Sequence, residues 1–210
     1  MKKNSIIALF DILRKVNPHP KSELRYKNNF QLLVAVVLSA QATDISVNKA
    51  TPALFKAAPD PKAMVALGEE GIKEHIRTIG LYNNKAKSVY ALSQILLEKH
   101  NSQVPDNRKG LESLPGVGHK TASVILNVAF NQPTLAVDTH VQRVSNRLGL
   151  VNEKNPKKIE AQLVKIIPSP YLQHAHHWLI LHGRYVCIAR SPKCEECLIT
   201  QYCEFKQKLK

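Results

Sequence analysis

Leu114-Pro-Gly-Val-Gly-His-Lys-Thr-Ala122 decides how this chain is read. Two glycines, Gly116 and Gly118, stand two apart behind Pro115, with apolar Leu114 and Val117 beside them. Glycine accepts positive φ and leaves its backbone N–H uncovered. Apolar residues then recur at helical spacing: Ala122, Ile125, Leu126 and Ala129. A tight turn that delivers bare N–H groups to a helix N-terminus suits an anion, because the orphan donors and the helix dipole both favour negative charge. Lys120 falls in that first turn, where a cation is electrostatically disfavoured. The same residues would also serve as an ordinary turn with a solvated lysine.

Bulk properties narrow the choice of anion. Thirty Lys and Arg residues against 16 Asp and Glu give a net charge of +14 over 210 residues. Such a field attracts polyanions, nucleic acid first among them. The longest apolar run, Leu32 to Leu38, is far too short to span a bilayer. The N-terminal Met-Lys-Lys-Asn leads into Ile6-Ile7-Ala8-Leu9-Phe10 and then at once Asp11, with no long apolar region or cleavage site after it. The expectation is a cytosolic protein with no membrane segment.

Taken in order, the chain reads as helices. Asn4 or Ser5 is expected to cap a first helix with a stripe at Ile6, Leu9, Phe10, Leu13 and Val16, stopped by Pro18 and Pro20. Phe30 to Gln41 is apolar nearly all round and predicts a buried central helix. Asp44 is expected to cap the next helix. Asp60-Pro61 is an N-cap followed by proline at N1 and predicts a short helix to Leu67. Glu70 to Ile79 follows, with Gly80 as its stop. Asn84 opens a longer helix, and Asp106 a short one that runs into the glycine turn. Beyond Asn131-Gln132-Pro133, Asp138 is read as the cap of Thr139 to Leu148, stopped by Gly149. Asn155-Pro156 starts a helix through Ile167, and Tyr171 to His182 is the last, closed by Gly183. No alternating strand pattern stands out, and no shift in composition marks a domain boundary. The expected fold is all-α.

Two constellations carry chemistry. All four cysteines lie near the C-terminal end as Cys187-x6-Cys194-x2-Cys197-x5-Cys203. Four thiolates so close together in a loop-rich tail suit a closed metal site. The spacing fits an iron–sulfur cluster better than zinc, because only one pair has Cys-x-x-Cys spacing, and a disulfide comes third. The loop between the first two ligands would expose Arg190 and Lys193, which suits phosphate contact. The second constellation is Lys120 with Asp138, 18 residues on. Partial burial and the positive end of a helix favour the neutral amine, which can attack an electrophilic carbon and form a Schiff base. A nearby carboxylate can take its proton. Asp138 could equally be an N-cap and nothing more, and the two roles are compatible.

Leu114 to Ala122, then Ala136-Val-Asp-Thr-His140, then the cysteine pattern form the motif order of endonuclease III, the bifunctional glycosylase/AP lyase of the helix-hairpin-helix superfamily. Leu38-Ser-Ala-Gln-Ala-Thr-Asp44, Ile79-Gly-Leu-Tyr-Asn-Asn84 and His177-Trp-Leu-Ile-Leu-His-Gly-Arg-Tyr185 also resemble that family. The resemblance covers essentially the whole chain. It implies two helical domains with a DNA-binding cleft between them: a six-helix barrel bearing the hairpin over residues 22–132, and a cluster domain made of residues 1–21 and 133–210. It implies a [4Fe–4S] cofactor on the four cysteines. It implies a monomer acting on double-stranded DNA with damaged pyrimidines or abasic sites, in a bacterial-type cytosol or nucleoid.

Residue by residue, the resemblance makes Lys120 the nucleophile and Asp138 its assistant. It implies that oxidised pyrimidines are flipped out and excised, and that the strand is then cut on the 3′ side by β-elimination. Gln41 and Leu81 would fill the gap in the stack, though a polar helix end and a core leucine would look the same in sequence. Gly116, Gly118, His119, His140, Arg190 and Lys193 would contact the DNA. One departure stands out: many relatives carry arginine beside the lysine, and this chain has His119. His174, His176, His177 and His182 crowd one segment, but helical spacing and the complete cysteine set speak against a second metal. Two rivals use the same parts. A monofunctional glycosylase with water as nucleophile would not need Lys120, and a non-catalytic DNA-binding module would need neither Lys120 nor Asp138.

Overall fold

The computed structural model describes residues 1–205. All the regular structure in them is helical, ten α-helices and one 3₁₀ turn. None of these helices is long and apolar enough to cross a membrane. The chain divides into two compact units, Ser22–Phe130 and Met1–Lys21 with the described residues from Asn131 onward. Each has its own apolar core.

The continuous unit holds α2 (Asn29–Leu38), α3 (Asp44–Ala57), α4 (Pro61–Ile76), α5 (Tyr82–Lys99), α6 (Arg108–Glu112) and α7 (His119–Phe130). Every residue of α2 from Phe30 to Leu38 is buried, which is why its sequence lacks a polar face. It packs against α7, α5 and α3. The helix ends three residues short of Gln41. Ser39 turns its hydroxyl back onto the Val36 carbonyl at 2.8 Å, and the chain then bends so that Gln41 has φ +52°.

Other boundaries differ from expectation for local reasons. Thr43, not Asp44, caps α3, its side chain accepting from the Ser46 N–H, and Asp44 is the first helical residue. Asp60 caps α4 as expected, with Pro61 in the first turn. The two helices expected between residues 61 and 79 are both present within α4, separated by a non-helical Gly68 with φ +75° and ψ 166°, and the second ends at Ile76, short of Ile79 and Gly80. Asn107 rather than Asp106 caps α6. α5 begins at Tyr82, two residues before Asn84, behind a left-handed Leu81. Lys85, in its first turns, is only 6% exposed, and its ammonium has no hydrogen-bond partner among the described residues. Burial pulls its pKa below the ordinary lysine value.

The discontinuous unit holds α1 (Lys3–Val16), α8 (Thr139–Leu148), α9 (Pro156–Ile166), α10 (Ser169–Tyr185) and the 3₁₀ turn Thr200–Tyr202. α1 starts behind Lys2 with no side-chain cap, so neither Asn4 nor Ser5 takes that role. Its apolar face meets α10: Phe10 stacks on Tyr171 with ring centroids 5.7 Å apart and lies 6.2 Å from Trp178. Polar groups fix the register. The Tyr171 hydroxyl donates to Asp11 at 2.8 Å, and the Trp178 indole donates to the Asn17 carbonyl at 2.8 Å.

α8 has the expected stop at Gly149, with φ +78°. α10 instead runs through Gly183 to Tyr185. A Cβ at Gly183 would lie 2.9 Å from the His140 Cβ and 3.1 Å from Val144 Cγ2. That glycine lets α8 and α10 approach rather than ending a helix.

Phe10→Ala removes a fully buried ring from this unit and should cost about 3–5 kcal/mol. Urea unfolding followed by fluorescence of Trp178, the single tryptophan, checks this directly in the unit concerned.

Candidate functional site

The hairpin between α6 and α7 is built from local bonds. The Leu114 N–H donates to the Leu111 carbonyl at 3.1 Å, and the Val117 N–H to the Leu114 carbonyl at 3.1 Å. The Gly118 carbonyl accepts from the Ala122 N–H at 2.9 Å and opens α7. The two glycines do different things. Gly116 has φ +79°, and a Cβ there would lie 3.0 Å from the Ser88 Cβ of α5 and 3.1 Å from Val37 Cγ1 of α2. Gly118 has ordinary φ, and a Cβ there would meet nothing within 4 Å. One glycine seats the turn; the other faces open space at a helix N-terminus, where first-turn N–H groups have no partner inside the helix.

Lys120 is the second residue of α7 and is exposed. The partial burial expected around its amine is therefore not supplied by its own unit. In the other unit Asp138 is half-buried, and its Oδ1 accepts from the Val141 N–H at 2.8 Å. It is an N-cap, as one reading held, and capping uses one of its two oxygens. His140, two residues on, has Nδ1 3.2 Å from Arg143 Nη2.

Gln41 and Leu81 share an unusual backbone. Both are non-glycine residues in the left-handed region, at φ +52° and +59°. That conformation costs an L-residue about 1–2 kcal/mol. Both are exposed, and Leu81 presents 56% of a large apolar side chain to solvent. Left-handed backbone and exposure together, each beside a helix end, describe side chains held outward.

The cysteine segment follows α10. Cys187, Cys194, Cys197 and Cys203 all line one small cavity with Leu148, His182 and Val186. Burial pushes the Cys197 thiol above its ordinary pKa, a backbone hydrogen bond at Ile199 opposes this, and the other three thiols add to the rise. Such a thiol ionises poorly beside three others, and a cationic cluster core reverses that balance. The donor set thus fits an iron–sulfur group, and sulfur-directed hydrogen bonds are already in place. Arg147 Nη1 donates to Cys187 Sγ at 3.5 Å, and the Phe205 N–H to Cys203 Sγ at 3.5 Å.

Two residues that sequence reasoning missed hold this loop. Arg143 donates to the Cys187 carbonyl at 3.1 Å and the Gly183 carbonyl at 2.8 Å. Arg147 donates to the carbonyls of Ile188 and Ala189, each at 2.8 Å. Their spacing of four on α8 was the available signal, since it puts two guanidiniums on one face. Arg190 and Lys193 are exposed, and the Lys193 ammonium lies 3.9 Å from Glu196.

The α10 histidines have separate environments. His176 Nδ1 donates to the Ala136 carbonyl at 2.7 Å. Burial, with smaller contributions from His176 and His174, takes His177 down to about 3, and burial takes His182 down to about 4. Both are neutral at physiological pH.

Residues 34–169 match the family described as HhH-GPD superfamily base excision DNA repair protein, and residues 187–203 match the iron–sulfur binding domain of endonuclease III. The chain is 53% identical over 209 residues to endonuclease III of Escherichia coli (strain K12), covering 100% of this chain and 99% of that one. The chain belongs to the endonuclease III family. Endonuclease III of Rickettsia conorii is likewise 53% identical over 210 residues, all of both chains. A solved trapped endonuclease III–DNA covalent intermediate, an estranged-adenine complex, superposes with a TM-score of 0.90 at 44% identity, over 97% of this chain and 96% of that one. The family identifies a DNA N-glycosylase and AP lyase of base-excision repair that carries a [4Fe–4S] cluster.

Gly116→Ala should destabilise the protein by about 2–4 kcal/mol, combining left-handed strain with overpacking. Gly118→Ala should leave the melting temperature within a degree or two yet weaken DNA binding, since its Cβ would occupy the open side of the turn. Thermal melts and fluorescence-anisotropy titrations of both variants separate the two roles. Arg147→Ala should speed cluster loss, read as the decay of visible absorbance and of iron content under mild chelation.

Proposed function

We propose that this enzyme excises oxidised or ring-saturated pyrimidines from duplex DNA and cuts the abasic strand through a Schiff base on Lys120. The observation that carries the reading is the placement of an exposed lysine in the first turn behind a glycine hairpin. The turn offers backbone N–H groups of Gly116 and Gly118 to a phosphate, and the same turn carries the amine. The covalent DNA intermediate trapped for a structural relative supports this choice over water as the nucleophile.

The damaged nucleotide leaves the stack at a cost of about a few kcal/mol, less when the base stacks poorly. Gln41 and Leu81, already strained outward, fill the space it vacates. The neutral Lys120 amine attacks the anomeric carbon, and the base departs with its bonding electrons. Loss of the nitrogen proton and opening of the sugar give an imine. The imine acidifies the adjacent sugar carbon, and β-elimination expels the 3′ phosphate. Asp138 accepts the lysine proton and steadies the positive charge that develops on nitrogen.

His119, His140, Arg190 and Lys193 contact the DNA backbone. Cys187, Cys194, Cys197 and Cys203 would hold the cluster, which would tie down the segment that carries the 188–193 loop. The enzyme works as a monomer in the cytosol or nucleoid of a bacterial cell.

Borohydride added to the protein with duplex DNA bearing thymine glycol or an abasic site should trap a covalent complex. Lys120→Ala should abolish it while retaining DNA affinity within about tenfold. DNA binding without any trapped species in the native enzyme would exclude the lyase chemistry. Leu81→Ala should slow excision of a paired lesion at least tenfold but leave cleavage of a preformed abasic site less affected, which single-turnover assays on the two substrates compare.

A further inference from the structure

α5 begins without the partners a helix start needs. Leu81 at its N-cap offers no side-chain acceptor, and no acidic residue stands in the first turn of this 18-residue helix. The backbone N–H groups of Tyr82 and Asn83 find no acceptor among the described residues. Orphan donors at the positive end of a helix dipole favour an anion. The end is open: Asn83 and Asn84 are exposed, and a Cβ at Gly80, just ahead of the helix, would meet nothing within 4 Å.

A second, independent feature lies one turn further on. Lys85 is only 6% exposed, and its ammonium has neither a hydrogen bond nor an ion pair among the described residues. The Lys85 N–H closes the first turn on the Leu81 carbonyl at 3.1 Å. A long side chain in a helix leans toward the N-terminus, so the stem of Lys85 runs back toward the turn whose N–H groups are bare. Two effects oppose its charge there. Burial pulls its pKa below the ordinary lysine value, and the positive helix end repels a cation. An anion at the same helix end offsets both. The four-carbon stem lets the ammonium move out to it by side-chain rotation alone.

The position suits a DNA strand. Ser88 lies three residues beyond Lys85 on the same helix face, and its Cβ is 3.0 Å from where a Cβ at Gly116 of the hairpin would stand. Leu81, at the other end of this stretch, is the exposed residue read as entering the base stack. Along α5 the bare end stands between the hairpin contact and the wedge, and a strand held at both places carries a phosphate past it.

We propose that the N-terminus of α5 is a second DNA-phosphate site of the continuous unit, formed by the N–H groups of Tyr82 and Asn83 and by the Lys85 ammonium, which moves from cover to meet the phosphate. This rests on the reading that the hairpin and Leu81 engage DNA. The amine has no partner in the free protein and gains one in the complex, so Lys85 serves binding and not the free fold. No covalent bond forms or breaks. Lysine suits the task as a compact point charge with three donors.

A methylphosphonate replaces one charged phosphate oxygen by a methyl group. Scanning it along a duplex with a non-cleavable abasic analogue, against cluster-loaded native enzyme and Lys85→Met, tests this. Lys85→Met should melt at or above the native temperature, because an unbranched apolar chain replaces a covered, unpartnered amine. Its affinity for the unmodified duplex should fall about tenfold, as for one charge-assisted contact. Its log–log salt slope should be shallower by about 0.9. At one position the methylphosphonate should cost the native enzyme about tenfold and Lys85→Met less than about twofold, the signature of a direct pair. Equal penalties in the two proteins at every position would overturn the proposal. So would a melting temperature lowered by more than about 5 °C, because the amine would then serve the fold. If no methylphosphonate weakened the native enzyme, backbone gripping by the hairpin would fail, and this site with it.

Discussion

The hairpin depends on a Cβ that is not there. At residue 116 the backbone is left-handed, and the space a side chain would need is already held by Val37 and Ser88. The turn therefore sits directly on the end of the buried helix α2 and on the first half of α5. Val37 is four residues from Gln41, and Ser88 lies two helical turns from Leu81. One close contact thus ties the proposed anion-binding turn to the segments that carry both proposed wedge residues. Strain at Gln41 and Leu81, about 1–2 kcal/mol each, is sustained because the helices they flank are buried in one core.

The cysteine segment is organised on another basis. It has little core of its own, and its backbone carbonyls would otherwise need water. Arg143 and Arg147 meet three of them, at Cys187, Ile188 and Ala189, from α8, the helix that Asp138 caps. The loop bearing Arg190 and Lys193 is therefore anchored to the same helix as the proposed catalytic carboxylate. Guanidinium suits this task because it offers several fixed donors without risk of deprotonation.

What the sequence revealed and what it hid follow from the range of the interactions. Asp60-Pro61, Asp138 and Asn155-Pro156 announced helix starts because capping is local chemistry within three residues. The burial of α2 was legible from the absence of a polar face. Leu81 was not legible as a left-handed residue, since nothing in leucine encodes positive φ and the surrounding helices impose it. Gly183 looked like a helix stop, but its smallness serves a contact with His140, 43 positions earlier in the chain. Arg143 and Arg147 resembled a solvated face because their partners lie some 40 residues downstream. Of the candidate site, motif residues such as Lys120 and the four cysteines could be read from spacing. The contacts of Arg108 with Glu112 at 3.3 Å and with His119 at 3.1 Å could not, because they need the α6–α7 geometry.

The order in which the units appear along the chain sets an order of assembly. α1 leaves the ribosome well before its partners: Phe10 packs on Tyr171 and Trp178, which lie in α10 near the other end of the unit. All of Ser22–Phe130 is synthesised in between. At 5–20 residues per second that gap is roughly ten seconds. The continuous unit has its whole core in hand during that time, whereas the apolar stripe of α1 waits without its partner. Newly made chains of this enzyme thus pass through a stage with one unit complete and an orphan amphipathic helix exposed, the kind of segment that chaperones recognise.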